Sequence, residues 1–245
     1  MAGRLPVAKT YKLFIDGAFP RSESGRTFPV HGPDGTLLAN AARASRKDLR
    51  DAVRTARAAQ EGWAARTAYN RGQVLYRVAE MLEGRRAELA TLLSDTGLAT
   101  EAAEEEVEAS IDRWVWYAGW SDKVHHVLGT VNPVAGPYFN FTVPEPTGVV
   151  GLVASGRPAL LGLVSRLVPA IVGGNAVVVV TGGDASLVAV TLGEVLATSD
   201  VPAGVVNVLT GERAELLPWL ISHLDVNAVD LTGADDDIEA EVVAG

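Results

Sequence analysis

The sequence contains no cysteine. That absence removes disulfides, thiolate metal ligands and any cysteine nucleophile within these 245 residues. Positive charge is scarce as well: 21 Lys and Arg stand against 30 Asp and Glu, a formal net charge of −9. Such a balance opposes a surface that coats DNA or RNA through clustered cations. Long apolar spans are also missing. The uncharged stretch from Leu167 to Gly183 carries Pro169 and the breaker Gly173-Gly174-Asn175, so it reads as helix, turn and strand rather than as a bilayer crossing. The opening MAGRLPVAKTYK has no apolar h-region of the secretory kind, and the expected location is the cytoplasm. Neither nucleic acid nor a membrane is an expected partner.

What is present suffices for a real core. Hydrophobic residues make up 48% of the chain and charged ones only 21%, which excludes a disordered composition and allows one large or two modest domains. Asp16-Gly17, set between the apolar residues of KLFIDGAF, signals a hairpin, and Asp34-Gly35 repeats the device. Helices follow. Ser45 and Asp48 have capping-box spacing, and Leu49, Val53, Ala56 and Trp63 recur at helical intervals. A second helix is expected from about Asn70, burying Val74, Leu75, Val78, Leu82 and Leu89. A third is expected from about Glu101, with Val107, Ile111, Trp114 and Val115 inward and Glu104-Glu105-Glu106 as a solvated face. Residues 127–144 change to β-type alternation broken by prolines. Tyr138, Phe139 and Phe141 there suggest a ribbon that wants a partner.

From Thr147 the rhythm becomes strand, helix, strand. TGVVGLVA, NAVVVVT, GVVNVLT and NAVDLTG read as strands, and helical segments alternate with them, implying a parallel sheet of Rossmann type and a last helix after the fourth strand. Histidine offers no metal site: His125 and His126 fall in an expected strand, where neighbours point to opposite faces, and His31 and His223 are isolated. Neither a Gly-x-Ser-x-Gly elbow nor a Walker loop is present.

Several blocks then agree with one family. WYAGWSDK (Trp116–Lys123), VPEPTGVVG (Val143–Gly151), LVPAIVGGNAVVV (Leu167–Val179) and VPAGVVNVLTG (Val201–Gly211) resemble the N-terminal half of an aldehyde dehydrogenase, collinearly over nearly the whole chain. The opening FIDGAFPRSESGRTFPVHGPDG and the helical RTAYNRGQVLYRVAEMLEGRRAELA are similar to the same family's start. The resemblance implies an α/β fold: a Rossmann-type parallel sheet with flanking helices, an N-terminal helical segment and a β-ribbon oligomerisation arm. The expected divisions are 1–123 for N-terminal strands and helices, 124–146 for the ribbon and 147–245 for the Rossmann-like unit. Such enzymes oxidise aldehydes with NAD or NADP, using a cysteine nucleophile and a glutamate base.

The positions that carry that chemistry depart from the pattern. Where the family places Pro-Trp-Asn-Phe-Pro, whose asparagine amide stabilises the oxyanion, this chain has Ser155-Gly156-Arg157-Pro158-Ala159, with Arg157 at the asparagine position. The family's Lys-Pro-Ala-Glu, which holds the adenosine ribose, is replaced by Val180-Thr181-Gly182-Gly183. Asp184 beyond it could reach a ribose or could cap the next helix beside Ser186. The Phe-Thr-Gly-Ser block that meets the pyrophosphate is here Leu231-Thr232-Gly233-Ala234, followed by Asp235-Asp236-Asp237. Three carboxylates at a helix start suit the macrodipole but repel phosphate; at an effective dielectric near 20, a unit charge about 4 Å away costs on the order of 4 kcal/mol before screening. The chain stops before the family's glutamate and cysteine would occur.

The resemblance therefore implies no catalytic residues and no metal. A vestigial cleft remains at Ser155, Arg157, Thr181, Gly182, Gly183, Asp184, Thr232 and Gly233, and no bound cofactor is expected. The leading expectation is a non-catalytic module whose partner is a full-length aldehyde dehydrogenase, or a second copy, reached through residues 124–144. The alternatives are an NAD(P)-dependent oxidoreductase completed in trans and a small-ligand module using the vestigial cleft.

Overall fold

The computed structural model describes residues 8–234. The expected last helix and the Asp235-Asp236-Asp237 run lie outside them. At the N-terminal end, β1 (Thr10–Tyr11), β2 (Thr27–His31) and β3 (Leu37–Ala42) form a small sheet in the order β1-β3-β2. The Asp16-Gly17 hairpin is formed as expected. Ile15 and Ala18 exchange both backbone hydrogen bonds, and Asp16 and Gly17 hold φ of 56° and 67°, the positive values a two-residue primed turn requires.

Four helices come next: α1 (Arg46–Ala64), α2 (Ala68–Gly84), α3 (Arg86–Asp95) and α4 (Thr100–Trp120). Ser45 and Asp48 complete the capping box at the start of α1. The expected second helix is in fact two. Arg85 leaves helical geometry and its N–H bonds the Leu82 carbonyl three residues back rather than four, so Leu89 belongs to α3. Leu82 and Leu89 are seven residues apart, a spacing that fits both one continuous helix and a kinked pair. Val115, expected inward on α4, is 42% exposed, because it is turned about 100° from the buried Trp114.

A short helix α5 (Val124–Leu128) leads into the ribbon. His125 and His126 therefore stand on a helical turn, where His126 and Val127 both donate to the Lys123 carbonyl, and not on a strand. Both histidines are exposed. The ribbon is shorter than its alternation suggests: β4 (Thr130–Val131) pairs with β5 (Phe141–Thr142) over two residues each, and Asn132 ties the strands through Asn140 and Thr142.

The remaining residues build the parallel sheet. β6 (Val149–Val153), α6 (Ala159–Val172), β7 (Ala176–Thr181), α7 (Ala185–Ala197), β8 (Val206–Thr210), α8 (Arg213–Ile221) and β9 (Ala228–Asp230) alternate as the sequence implies. The order is β8-β7-β6-β9 with every pairing parallel. Renumbered within the sheet this is 3-2-1-4, the Rossmann arrangement, so the direction of winding reverses between β6 and β9. All six residues of β7 are buried, since helices cover both faces of a parallel sheet. One apolar cluster joins α2, α3, α4, α6 and α7 to one face, and another joins α1 and α8 to the other. Beyond β8 the sheet is continued by an antiparallel bridge at Phe14, which exchanges two backbone hydrogen bonds with Val208.

Candidate functional site

In a sheet of this topology, ligands bind outside the carboxyl ends of the strands at the point where the winding reverses. The loops after β6, β7 and β9 meet there, and they carry every position the sequence singles out. Most are engaged within the protein itself, while the buried Thr181 hydroxyl has no hydrogen-bond partner among the described residues.

Arg157, in the loop between β6 and α6, reaches sideways. Its guanidinium donates to the carbonyl of Thr96 at 2.6 Å and to Asp184 Oδ2 at 3.4 Å. Asp184 uses its other oxygen to accept from Ala185 N at 2.9 Å, which makes it the cap of α7. The two loops are thus tied across the cleft, and Ser155 turns its hydroxyl to the Pro158 carbonyl.

Beneath them, Glu106 of α4 accepts from Leu160 N at 2.7 Å and Leu161 N at 3.1 Å. These are first-turn donors of α6, the groups that a phosphate would seek at the first βα turn. Glu104 and Glu105 are exposed as expected, but Glu106 is buried. Consecutive helix residues turn by about 100°, so three glutamates cannot share one face. The signal was available: Glu106 lies between Ala103 and Ser110 on the inward stripe of α4, and both of those are buried. Sequence reasoning passed over it because it treated the run as a unit.

The β7 loop is equally close. The Thr181 side chain is buried, Gly182 has the Gly211 carbonyl 2.8 Å from where a Cβ would stand, and Gly183 adopts φ +59° to make the turn. On the β9 side, Asp230 gathers the Thr232 amide at 2.9 Å and its hydroxyl at 2.5 Å. Gly233 then lies on the end of β6, and a Cβ there would sit 2.5 Å from both Ala154 C and Ser155 N. Arg213, at the head of α8, donates to the Ala154 carbonyl at 2.6 Å. What remains open is a cavity of about 180 Å³ lined by Leu93, Thr96, Leu98, Glu106, Pro158 and the Arg157–Asp184 pair. Among the described residues, no cluster of His, Asp and Glu could hold a metal ion.

Fold and site together define a Rossmann-type α/β protein in which the loops at the winding reversal are bonded to one another and to α4. The Aldehyde dehydrogenase family model matches residues 19–238. The chain belongs to that family. It is 33% identical to Retinal dehydrogenase 2 of Homo sapiens over 234 residues, covering 93% of this chain and 45% of that protein. Similarity to Aldehyde dehydrogenase family 2 member B4, mitochondrial, of Arabidopsis thaliana is 35% over 233 residues, 92% of this chain and 42% of that one. Among solved structures, the NAD+ complex of an aldehyde dehydrogenase from Bacillus cereus superposes with a TM-score of 0.86 at 29% identity, over 90% of this chain and 45% of that chain. HpcC from Thermus thermophilus superposes with a TM-score of 0.91 at 28% identity, over 96% and 46%. The chain thus spans less than half the length of these relatives.

Proposed function

We propose that this chain is a non-catalytic member of the aldehyde dehydrogenase family that works by association, as a structural or regulatory partner of a full-length aldehyde dehydrogenase. One observation carries the reading: Glu106 takes the first donors of α6 while Arg157 and Asp184 close the cleft above it. A dinucleotide would have to displace a buried carboxylate and an ion pair before meeting the first N–H groups of α6, an arrangement that opposes NAD or NADP at this turn. The oxyanion amide expected at Arg157 is absent, and these 245 residues contain no cysteine to form a thioester. The small-ligand alternative is disfavoured by size, since about 180 Å³ is below the roughly 300–1,000 Å³ of ordinary ligand pockets.

The surface supports an associating role. Tyr138 and Phe139 are each 77% exposed on the ribbon, together with Phe141 and Val131. Contiguous apolar side chains left this open mark interaction sites on soluble proteins. The test is co-purification of the tagged chain with a full-length aldehyde dehydrogenase from its own source, beside calorimetry with millimolar NAD and NADP. Retention of the enzyme, loss of retention in the F139S/F141S double substitution, and no cofactor heat are expected. Saturable cofactor binding would overturn the reading and favour an oxidoreductase completed in trans.

A further inference from the structure

Apart from the ribbon, one helix face carries matched but unpaired groups. On the 21-residue helix α4, Ala109, Asp112, Arg113 and Trp116 line a surface depression of about 530 Å³. Their spacing, i, i+3, i+4 and i+7, is that of one stripe along a helix. The opposite stripe of α4, with Ala103, Val107, Ser110 and Trp114, is already buried in the protein's own core. The outer stripe therefore has no partner within the described residues. Trp116 is 61% exposed and touches only Trp120 among the aromatic rings, at 6.1 Å between centroids. Asp112 and Arg113, adjacent and of opposite sign, make no ion pair or hydrogen bond among the described residues, whereas Glu108 one turn earlier is paired with Arg86.

These four residues are complementary to themselves. We infer that this face is a two-fold interface in which α4 packs antiparallel on α4 of a second copy of this chain. An axis passing between Asp112 and Arg113 places Asp112 of each copy against Arg113 of the other. It also places Trp116 over the small Ala109. A symmetric dimer needs such isologous contacts, in which residue i meets j and j meets i. Two ion pairs and two indoles seated on alanines satisfy both the unpaired charges and the bare aromatic surface. From Ala109 to Trp116 the stripe is about 10 Å long, so the contact falls well below the roughly 800 Å² per partner of a standard interface, and the dimer is of the weak, concentration-dependent class.

The inference goes beyond the proposed association through the ribbon and is tested apart from it. Sedimentation velocity of the full chain across the micromolar range is expected to show a reversible monomer–dimer equilibrium. D112R sets two cations against two cations and R113D sets two acids against two acids. Each is expected to weaken dimerisation on the order of tenfold or more. An equal mixture of the two variants restores pairing as a heterodimer, and the D112R/R113D double substitution restores the homodimer. Both positions are on the surface, and unchanged far-ultraviolet circular dichroism shows that each variant folds. A monomeric wild type, or a dimer that withstands both single reversals, overturns the inference. A dimer lost in F139S/F141S but kept in D112R also overturns it while leaving the ribbon proposal intact. Dissociation by D112R with F139S/F141S still dimeric upholds it without the ribbon.

Discussion

The guanidinium of Arg157 and the carboxylate of Asp184 lie 3.4 Å apart, joining the loop after β6 to the loop after β7. In a Rossmann fold those loops frame the cofactor, and here they hold each other. Both side chains are partly exposed, so the ion pair itself stabilises little, within about 1 kcal/mol. The bond from Arg157 to the Thr96 carbonyl adds a tie to α3 that a shorter side chain cannot make. Arg157→Asn, which introduces the residue type that the resemblance implies at this position, is expected to lower Tm by roughly 2–4 °C without creating NAD binding. Thermal melts with and without cofactor check both parts. A cofactor-dependent rise in Tm in this variant would mean that Arg157 alone blocked the cleft.

Glu106 is expected to matter more to stability than any other charged residue of the site. Glu106→Ala leaves the amides of Leu160 and Leu161 without their acceptor in a buried position, a loss of about 2–4 kcal/mol. Tm should fall by roughly 5–10 °C, and Glu106→Gln, which keeps an oxygen at the same place, should lose less than half of that. Equal losses in the two variants would show that volume rather than hydrogen bonding is at stake.

Gly233→Ala places a methyl group against the backbone at the end of β6, where no side chain can yield. The turn at residues 231–234 must then move away from β6. Amide exchange of β6 and β9 is expected to rise locally, with the rest of the sheet unchanged. Uniform protection in this variant would contradict the packing described.

Acid sensitivity should centre on Glu194. Burial pushes its carboxyl up, but hydrogen bonds from Lys9 and Arg85 outweigh that and hold it below the ordinary 4.5. A carboxylate depressed in the folded state contributes stability that is complete above its unfolded value. That contribution disappears as pH falls from about 4.5 through the lower folded value. Glu194→Gln is therefore expected to be less stable than wild type by about 1 kcal/mol at pH 7, the difference shrinking towards zero below pH 4. Melting curves of the pair across that window decide the matter; a constant difference would place the effect in packing.

Legibility in the sequence followed the range of the interaction. The four valines of β7 could be read because burial on both faces leaves a continuous apolar run, and the Ser45–Asp48 cap and the Asp16-Gly17 turn because each is complete within four residues. The break at Arg85 could not, since a seven-residue spacing survives it. Likewise, alternation across the ribbon suggested more pairing than β4 and β5 make, and nothing local distinguished a turn of helix at His125 from a strand. In the cleft, the resemblance implied position by position which polar anchors differ from the family's pattern. The contacts made there were not legible in the sequence: Arg157 meets Thr96 across 61 residues and Glu106 meets Leu160 across 54, and contacts of that separation leave no local pattern.

The bridge at Phe14 has a consequence for how the main sheet can grow. On the outer side of β8 that bridge takes the amide and carbonyl of Val208, and Ala44 N donates to the Thr210 carbonyl, so the edge is interrupted at its middle and at its end. On the opposite flank, β9 has β6 as its only neighbour among the described residues. Extension is therefore one-directional. A strand that adds to this sheet, from whichever polypeptide, finds its open edge beside β9, next to the loops joined by Arg157 and Asp184.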